Sequence, residues 1–265
     1  MSPVHEAGLL ERLARSVIAN ASAGREAASV GPFVALVDRV SASPWASLAV
    51  PAPGTPAGTG WEAELPALEA HFSARSRALR FEFLEDLFPT LGPALERAGW
   101  PLASRDPLFA CSPPELVPAA PVPGLSLEPL DAGSPDDLVD LFLGVQHESF
   151  EPGKTRASSA GEREQLRSRI RIGVLRCLLA RLDGVPAGAG STLPAAGVAE
   201  AAGIGTLTRF RARGIGSAVT ARLAADLFTT GTETAWLTAG SVLAARIYQR
   251  LGFRPLGAFQ RNYSR

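Results

Sequence analysis

The segment Arg211-Ala212-Arg213-Gly214-Ile215-Gly216-Ser217 sets two glycines among basic and small residues. It stands between a strand-like run, Val198 to Leu207, and a helix-like run whose Ile215, Val219, Leu223 and Leu227 form one stripe. A Gly-rich turn at a helix N-terminus exposes unpaired backbone N–H groups, and the helix dipole favours negative charge there. Glycine at 214 and 216 lets a ligand approach the main chain without meeting a Cβ. The chemistry is therefore an anion site for a phosphate or pyrophosphate, with the identity of the anion left open.

Three other motif readings fail on residue identity. A dinucleotide fingerprint needs a third glycine where Val219 stands. Gly153-Lys154-Thr155 resembles the end of a P-loop, but Glu148 occupies the place of its first glycine. His147-Glu148 opens like a zinc-protease motif, yet residue 151 is Glu rather than His.

Further on, Ala244-x-x-Ile247-Tyr248-Gln249-Arg250-Leu251-Gly252-Phe253 follows a strand-like TAWLT. Taken together, Arg211-x-x-Gly214-x-Gly216 and this second segment resemble the paired signatures of the GNAT superfamily of acyl-CoA N-acyltransferases. The resemblance spans about Gly124 to Arg265. It implies an α/β GNAT fold, a mixed central sheet flanked by helices, with acetyl-CoA as co-substrate and no metal. It also implies that Arg211, Ala212, Arg213, Gly214, Ile215, Gly216 and Ser217 hold the pyrophosphate, and that main-chain groups around Ile204, Thr206 and Leu207 pair with the pantetheine arm. Thr208 stands where the family commonly has Pro, a mild departure because main-chain groups do the binding.

Tyr248 matches the tyrosine that protonates the departing CoA thiolate. A phenol of pKa near 10 is a sensible donor to a thiolate whose conjugate thiol has a pKa of about 8–9; its bland alternative is a tyrosine packed at the core edge. Ser241 falls where many members have a cofactor-contacting Asn, and equally where a helix N-cap is expected. Glu200 lies eleven residues before Arg211, the offset of the catalytic glutamate in histone-type members. It is either the general base or a solvent-facing strand residue. His147 and Glu148, in a predicted loop, are lesser candidates for the base.

Elements must position these groups. LSLEPL reads as a strand. Ser134-Pro135-Asp136-Asp137 then opens a helix with Leu138, Leu141, Phe142 and Val145 on one face. The polar stretch QHESFEPGKTR reads as a loop, and Ser159-x-x-Glu162 as a capping box opening a second helix. Asp183-Gly184 between two apolar runs marks a hairpin. The tail FRPLGAFQRNYS reads as a last pair of short strands.

Five prolines in the thirteen residues from Ser112 to Gly124 predict an extended linker. The expected domains are 1–111, a linker over 112–123, and a catalytic domain over 124–265. A second loop, Pro51 to Gly60, falls inside the first half. There, strand LRFEF, helix EDLFPTLGPALERAGW and strand PLFACS repeat the ending of the second half. Ala98-Gly99-Trp100 aligns with Leu251-Gly252-Phe253, and Leu95 with Tyr248. The reading is a degenerate GNAT-like first half without a cofactor motif, whose alternating Leu79, Phe81 and Phe83 need an apolar partner. The sheet of the catalytic domain is the expected one.

Bulk composition adds exclusions. The 265 residues are 46% hydrophobic and 20% charged, ordinary for a globular chain. Twenty-six basic residues balance 26 acidic ones, which gives no electrostatic reason to expect nucleic acid or an anionic membrane as partner. Leu9, Leu10, Leu13, Val17 and Ile18, interrupted by charges, predict an amphipathic helix rather than a signal peptide. Cys111 and Cys177 match no metal or redox spacing and read as buried free thiols, which fits the cytoplasm. The expected activity is transfer of acetyl from acetyl-CoA to the amine of a small molecule or peptide by direct attack. An acyl-CoA sensor and a structural, oligomer-forming protein are the alternatives, with a homodimer among the expected assemblies.

Overall fold

The computed structural model describes residues 3–41, 43–56, 58–154 and 156–265, so Ala57 and Thr155 of the segments above lie outside the described residues. In chain order the elements are α1 (Pro3–Ser22), β1 (Glu26–Val30), β2 (Phe33–Val37), β3 (Leu48–Pro51), α2 (Trp61–Ser73), β4 (Arg80–Leu84), α3 (Leu91–Arg97), β5 (Leu102–Cys111), β6 (Leu125–Leu130), α4 (Asp136–Phe150), α5 (Ala160–Arg171), β7 (Arg176–Leu182), β8 (Val185–Ala195), β9 (Val198–Thr206), α6 (Ile215–Phe228), β10 (Thr234–Thr238), α7 (Val242–Arg250) and β11 (Arg254–Ser264). They form two compact units. The first holds 1–108, 238–241 and 255–265, and the second 109–237 and 242–254. No helix among the described residues is long and apolar enough to cross a membrane.

In the second unit β6, β7, β8 and β9 pair antiparallel in sequence order, and β10 joins β9 in parallel. The hairpin at Asp183-Gly184 forms as expected, with φ of +51° and +79°, the left-handed pair that a two-residue turn requires. Ser159 Oγ accepts from Glu162 N–H while the Glu162 carboxylate accepts from Ser159 N–H, the expected capping box of α5. Val139, Phe142 and Val145 of α4 and Leu166 of α5 pack on Cys177, Leu179 and Ala189 of the sheet. On the other face, Ile215, Val219 and Leu223 of α6 cover Leu178, Ala180 and Ala187.

Three expectations change here. The stretch from Gln146 is not a loop, because α4 continues to Phe150. Val139, Phe142, Val145 and Ser149 keep the helical spacing on its buried face, and the first strong breaker is Pro152. Ser134 does not cap α4: Pro135 holds the N-cap position, and Ser134 Oγ accepts from Asp131 N–H at 2.9 Å. The tail is one strand, β11, rather than a pair, because Gly257 at φ +70° is absorbed within it without a turn.

The segment Ser112 to Gly124 is docked on the second unit. Ser112 and Glu115 close a single 3-10 turn, Val117 N–H donates to Leu251 O at 3.0 Å, and Glu115 pairs with Arg254.

The first unit repeats the order helix, three antiparallel strands, helix, parallel strand, helix and strand seen from α5 to β11. β1, β2 and β3 form the meander, and β3 meets β4 in parallel at Ala49 and Phe81. The chain's last strand, β11, pairs antiparallel with β4, so the end of the second repeat completes the first unit. Phe81, Phe83 and Leu79 are covered inside this unit by Trp61, Leu65, Leu68 and Phe72 of α2, Leu91 and Leu95 of α3, and Tyr263 of β11. Their partner is thus the unit's own helices plus one strand from the chain end. The helix expected from Glu85 to Trp100 is confined to Leu91–Arg97, since Pro89 disfavours helical backbone at Phe88.

Candidate functional site

After β9 a 3-10 turn, Thr208–Phe210, leads to Arg211–Gly214 and into α6. Gly214 is the N-cap residue at φ +83°, and Ala212 is also left-handed at φ +61°. No side chain caps the helix, and its first turn holds no acid. Ala218 N–H closes the first bond, to Gly214 O at 3.0 Å, which leaves the N–H groups of Ile215, Gly216 and Ser217 open to a ligand. A Cβ at Gly216 would meet only Thr206 Oγ1, at 3.6 Å. Arg213 makes no ion pair among the described residues, and its guanidinium lies 5.9 Å from the Phe210 ring. A turn of this geometry suits an anion, and Arg213 stands beside it.

β9 and β10 are in register at Thr234/Val198, Ala235/Ala199 and Trp236/Glu200, and their pairing ends at that last rung. Beyond it β9 continues to Thr206, paired only with β8 and interrupted by a bulge between Ala189 and Ser191. Leu207 N–H donates to Ala187 O at 2.9 Å, and Leu207 O accepts from Phe210 N–H at 2.8 Å. Antiparallel alternation therefore turns Gly205 and Leu207 toward β8 and Thr206 toward the opening, while Ile204 lies in the bulge. Of the three residues expected to pair with an extended ligand, Thr206 faces the opening and Ile204 stands in the bulge beside it. Leu207 has its N–H engaged elsewhere.

The end of α4 closes one side of this edge. Gln146 Nε2 donates to Gly203 O at 3.3 Å, and Glu148 pairs with Arg209 at 3.5 Å. Arg211 donates from Nη2 to Ser149 O at 3.0 Å and from Nε to Thr206 O at 3.2 Å. A Cβ at Gly205 would collide with Ser149, and one at Gly203, already at φ +60°, with Gln146. Two glycines inside one strand, Gly203 and Gly205, are the sequence signal of this close approach, and they belong to neither signature motif. His147 and Glu148, expected in a loop, sit on the last turn of α4.

Tyr248 lies on α7, half-buried, with its ring 6.4 Å from Phe109 and 6.2 Å from Phe253. Its hydroxyl makes no hydrogen bond with the described residues, and burial raises its pKa above the ordinary phenol value. Glu200 is half-buried on the last β9–β10 rung beside Trp236, whose indole N–H is buried without a partner. Ser241 is exposed and immediately precedes α7. Cys111 and Cys177 are buried free thiols, pushed up by desolvation to about 11 and about 12, which keeps them protonated and inert.

Residues 145–253 match the model of the Acetyltransferase (GNAT) family. The chain carries a GNAT-family domain. The match runs from the end of α4 through Phe253 and so takes in the turn before α6, the parted strands and Tyr248. A GCN5-related N-acetyltransferase from Kribbella flavida is 27% identical, with a TM-score of 0.75 over 96% of this chain and 95% of that one. A GCN5-related N-acetyltransferase from Sphaerobacter thermophilus is 14% identical, with a TM-score of 0.58 over 88% and 76% of the two chains. A tandem GNAT protein from the clavulanic acid biosynthesis pathway is 14% identical, with a TM-score of 0.56 over 88% and 78%. These last two share the fold. No relative matches among curated proteins. GNAT proteins take an acyl-CoA as co-substrate, and acyl transfer is the general chemistry of the fold this chain adopts.

The first unit has the same order of elements as the stretch from α5 to β11. Its parallel strands share one rung, Ala49/Phe81, where those of the second unit share three. Leu95 O accepts from Trp100 N–H as Tyr248 O does from Phe253 N–H, so Leu95 occupies the place of the tyrosine. That closing bond alone is general, since α2, α5 and α6 also end with it, at Arg77, Val174 and Thr232. The repeat rests instead on the order of elements and on one parallel strand pair in each unit.

Proposed function

We propose that the protein is an acetyl-CoA-dependent N-acetyltransferase acting on the amine of a small molecule or peptide. The observation that carries this reading is the uncapped, acid-free N-terminus of α6, placed where β9 parts from β10. A diphosphate fits the open N–H groups of Ile215, Gly216 and Ser217, with Arg213 beside it. The pantetheine arm then runs along β9 past Thr206 and Ile204. Its thioester ends near the last shared rung, where Glu200 stands.

In this mechanism Glu200 takes a proton from the acceptor ammonium, directly or through a water. The free amine attacks the thioester carbonyl, and main-chain N–H groups at the β9 bulge stabilise the oxyanion. The C–S bond breaks as the amide forms, and Tyr248 donates its phenolic proton to the thiolate. Burial makes Tyr248 a weaker acid than a free phenol, and it also keeps the proton in place across the neutral range. The test is CoA release with a panel of amines, alongside acetyl-CoA binding by calorimetry. Binding without turnover on any amine would support a sensing module instead.

A further inference from the structure

We propose that the proline-rich strap from Ser112 to Gly124 positions both halves of the transfer site, through Val117 at the turn that follows Tyr248 and Val122 at the turn that holds Gly214. The proposal rests on the acyl-transfer reading above. Each of these two turns contains a glycine in the left-handed region, Gly214 at φ +83° and Gly252 at φ +93°. Strap atoms stand against both. A Cβ at Gly252 would collide with Glu115 O, and one at Gly214 would lie 3.1 Å from Val122 Cγ2. Left-handed backbone already favours glycine at these places. The strap occupies the space that a side chain would have used.

At its first contact the strap grips the end of α7. Tyr248 O accepts from Leu251 N–H and from Phe253 N–H, both at 3.0 Å, so the tyrosine and this turn form one piece. Leu251 O in turn accepts from Val117 N–H at 3.0 Å. Glu115 adds an ion pair to Arg254, while its Oε2 accepts from Ser112 N–H at 3.0 Å and from Ser112 Oγ at 2.6 Å. The Tyr248 ring packs on Phe109 and Phe253, and no hydrogen bond to the described residues holds its hydroxyl. The place of that hydroxyl is therefore set by the backbone of the turn, which Val117 N–H fixes from outside the helix.

At its second contact the strap lies beside the N-cap of α6. Val122 packs on the cluster of Ile215, Val219 and Leu223 that seats this helix. Val122 O accepts from Leu125 N–H at 3.1 Å, and Gly124 O accepts from Asp183 N–H at 2.9 Å, which ties this end to the β7–β8 hairpin. Between and beyond the contacts, Pro118, Pro121 and Pro123 fix their own φ and hold Val117, Ala120 and Val122 extended. A stiff strap anchored at both ends braces each turn separately. Val117 should therefore govern turnover, through Tyr248, and Val122 cofactor affinity, through Gly214.

The experiment uses the full-length chain, acetyl-CoA titrated calorimetrically, and CoA release with the amine that is turned over fastest. Val117→Pro deletes the N–H, and Leu116 at φ −65° and ψ 121° already has the backbone that a following proline demands. Saturating turnover should fall roughly tenfold with acetyl-CoA affinity unchanged, because small misplacements of a reacting group cost at least that much. Val117→Ala keeps the N–H and should recover wild-type turnover. Val122→Ala should do the reverse, weakening acetyl-CoA roughly three- to tenfold with saturating turnover kept. Melting curves establish folding; if Val117→Pro does not fold, Glu115→Gln, which loses the pair with Arg254 but keeps an oxygen for Ser112, takes its place. If the wild-type protein binds acetyl-CoA but turns over no amine, fluorine NMR of fluorotyrosine-labelled protein decides. The chain has two tyrosines, Tyr263→Phe assigns their resonances, and that of Tyr248 should move in Val117→Pro and stay in Val122→Ala. A wild-type protein that does not bind acetyl-CoA would overturn the acyl-transfer reading and this proposal with it. Wild-type binding with both variants unchanged, with Val117→Ala as slow as Val117→Pro, or with both constants falling together in each variant would overturn the strap proposal alone.

Discussion

Tyr263 on the last strand stacks on Phe83 of β4, with ring centroids 6.1 Å apart and planes within 4°. Its side chain is fully buried, its hydroxyl donates to Glu96 at 2.8 Å, and Arg261 Nη1 donates to it at 2.7 Å. The C-terminus of the chain is thereby built into the core of the first unit. Tyr263→Ala leaves a ring-sized cavity and should cost about 3–5 kcal/mol by urea denaturation. Tyr263→Phe keeps the stack and should cost about 1 kcal/mol. Equal, small losses in both would mean that the strand is peripheral.

The same contact bears on dissection. A fragment of residues 118–265 keeps β11 but loses β4, its partner from Arg80 to Leu84. It should melt lower than the full chain or aggregate, even though the turn before α6 and Tyr248 are intact. Unchanged melting and monomeric behaviour would show that the second unit closes without the first.

Much of this architecture was legible in advance. The helix stripe after Gly214, the Asp183-Gly184 hairpin and the Ser159/Glu162 box depend on neighbouring residues, and periodicity reports them directly. The strand–turn–helix around Gly214 was legible for the same reason, since strand, glycines and helix are contiguous. The destination of β11 was not, because a strand's partner is chosen by long-range packing that Tyr263 and Phe83 do not announce, separated as they are by 180 positions of a 265-residue chain. The extent of α4 was hidden by its polar last turn: Gln146, His147 and Glu148 look solvated, while Ser149 faces Gly205. The resemblance places Leu207 beside the pantetheine arm, and the hydrogen bond of its N–H to Ala187 O is a pairing that no local sequence feature announces.

Gly205 offers a direct test of that α4 contact. Gly205→Val should lower the melting temperature and weaken acetyl-CoA binding together, since a Cβ there displaces Ser149 and with it the carbonyl that Arg211 holds. If thermal stability fell while affinity stayed unchanged, the end of α4 would have no part in shaping the cofactor edge.

The buried phenol predicts a pH signature. Because the pKa of Tyr248 is raised, its acid form persists beyond the ordinary value near 10, so turnover should show no alkaline loss from this group below that pH. Tyr248→Phe should lower turnover by about ten- to thousand-fold with acetyl-CoA affinity nearly unchanged. Full turnover in the variant would reduce Tyr248 to a packing residue against Phe109 and Phe253.

The central claim is that the N-terminus of α6 binds the diphosphate of acetyl-CoA, and Gly214→Asp tests it most directly. Gly214 is left-handed at φ +83°, and a carboxylate there adds strain, bulk and like charge at the open N–H groups. Gly214→Asn carries nearly the same bulk in a residue that tolerates the left-handed region, and so separates charge from shape. Acetyl-CoA titrated calorimetrically into both variants should bind the Asn protein weakly and the Asp protein almost not at all, with both folded. Wild-type affinity in folded Gly214→Asp would contradict the account.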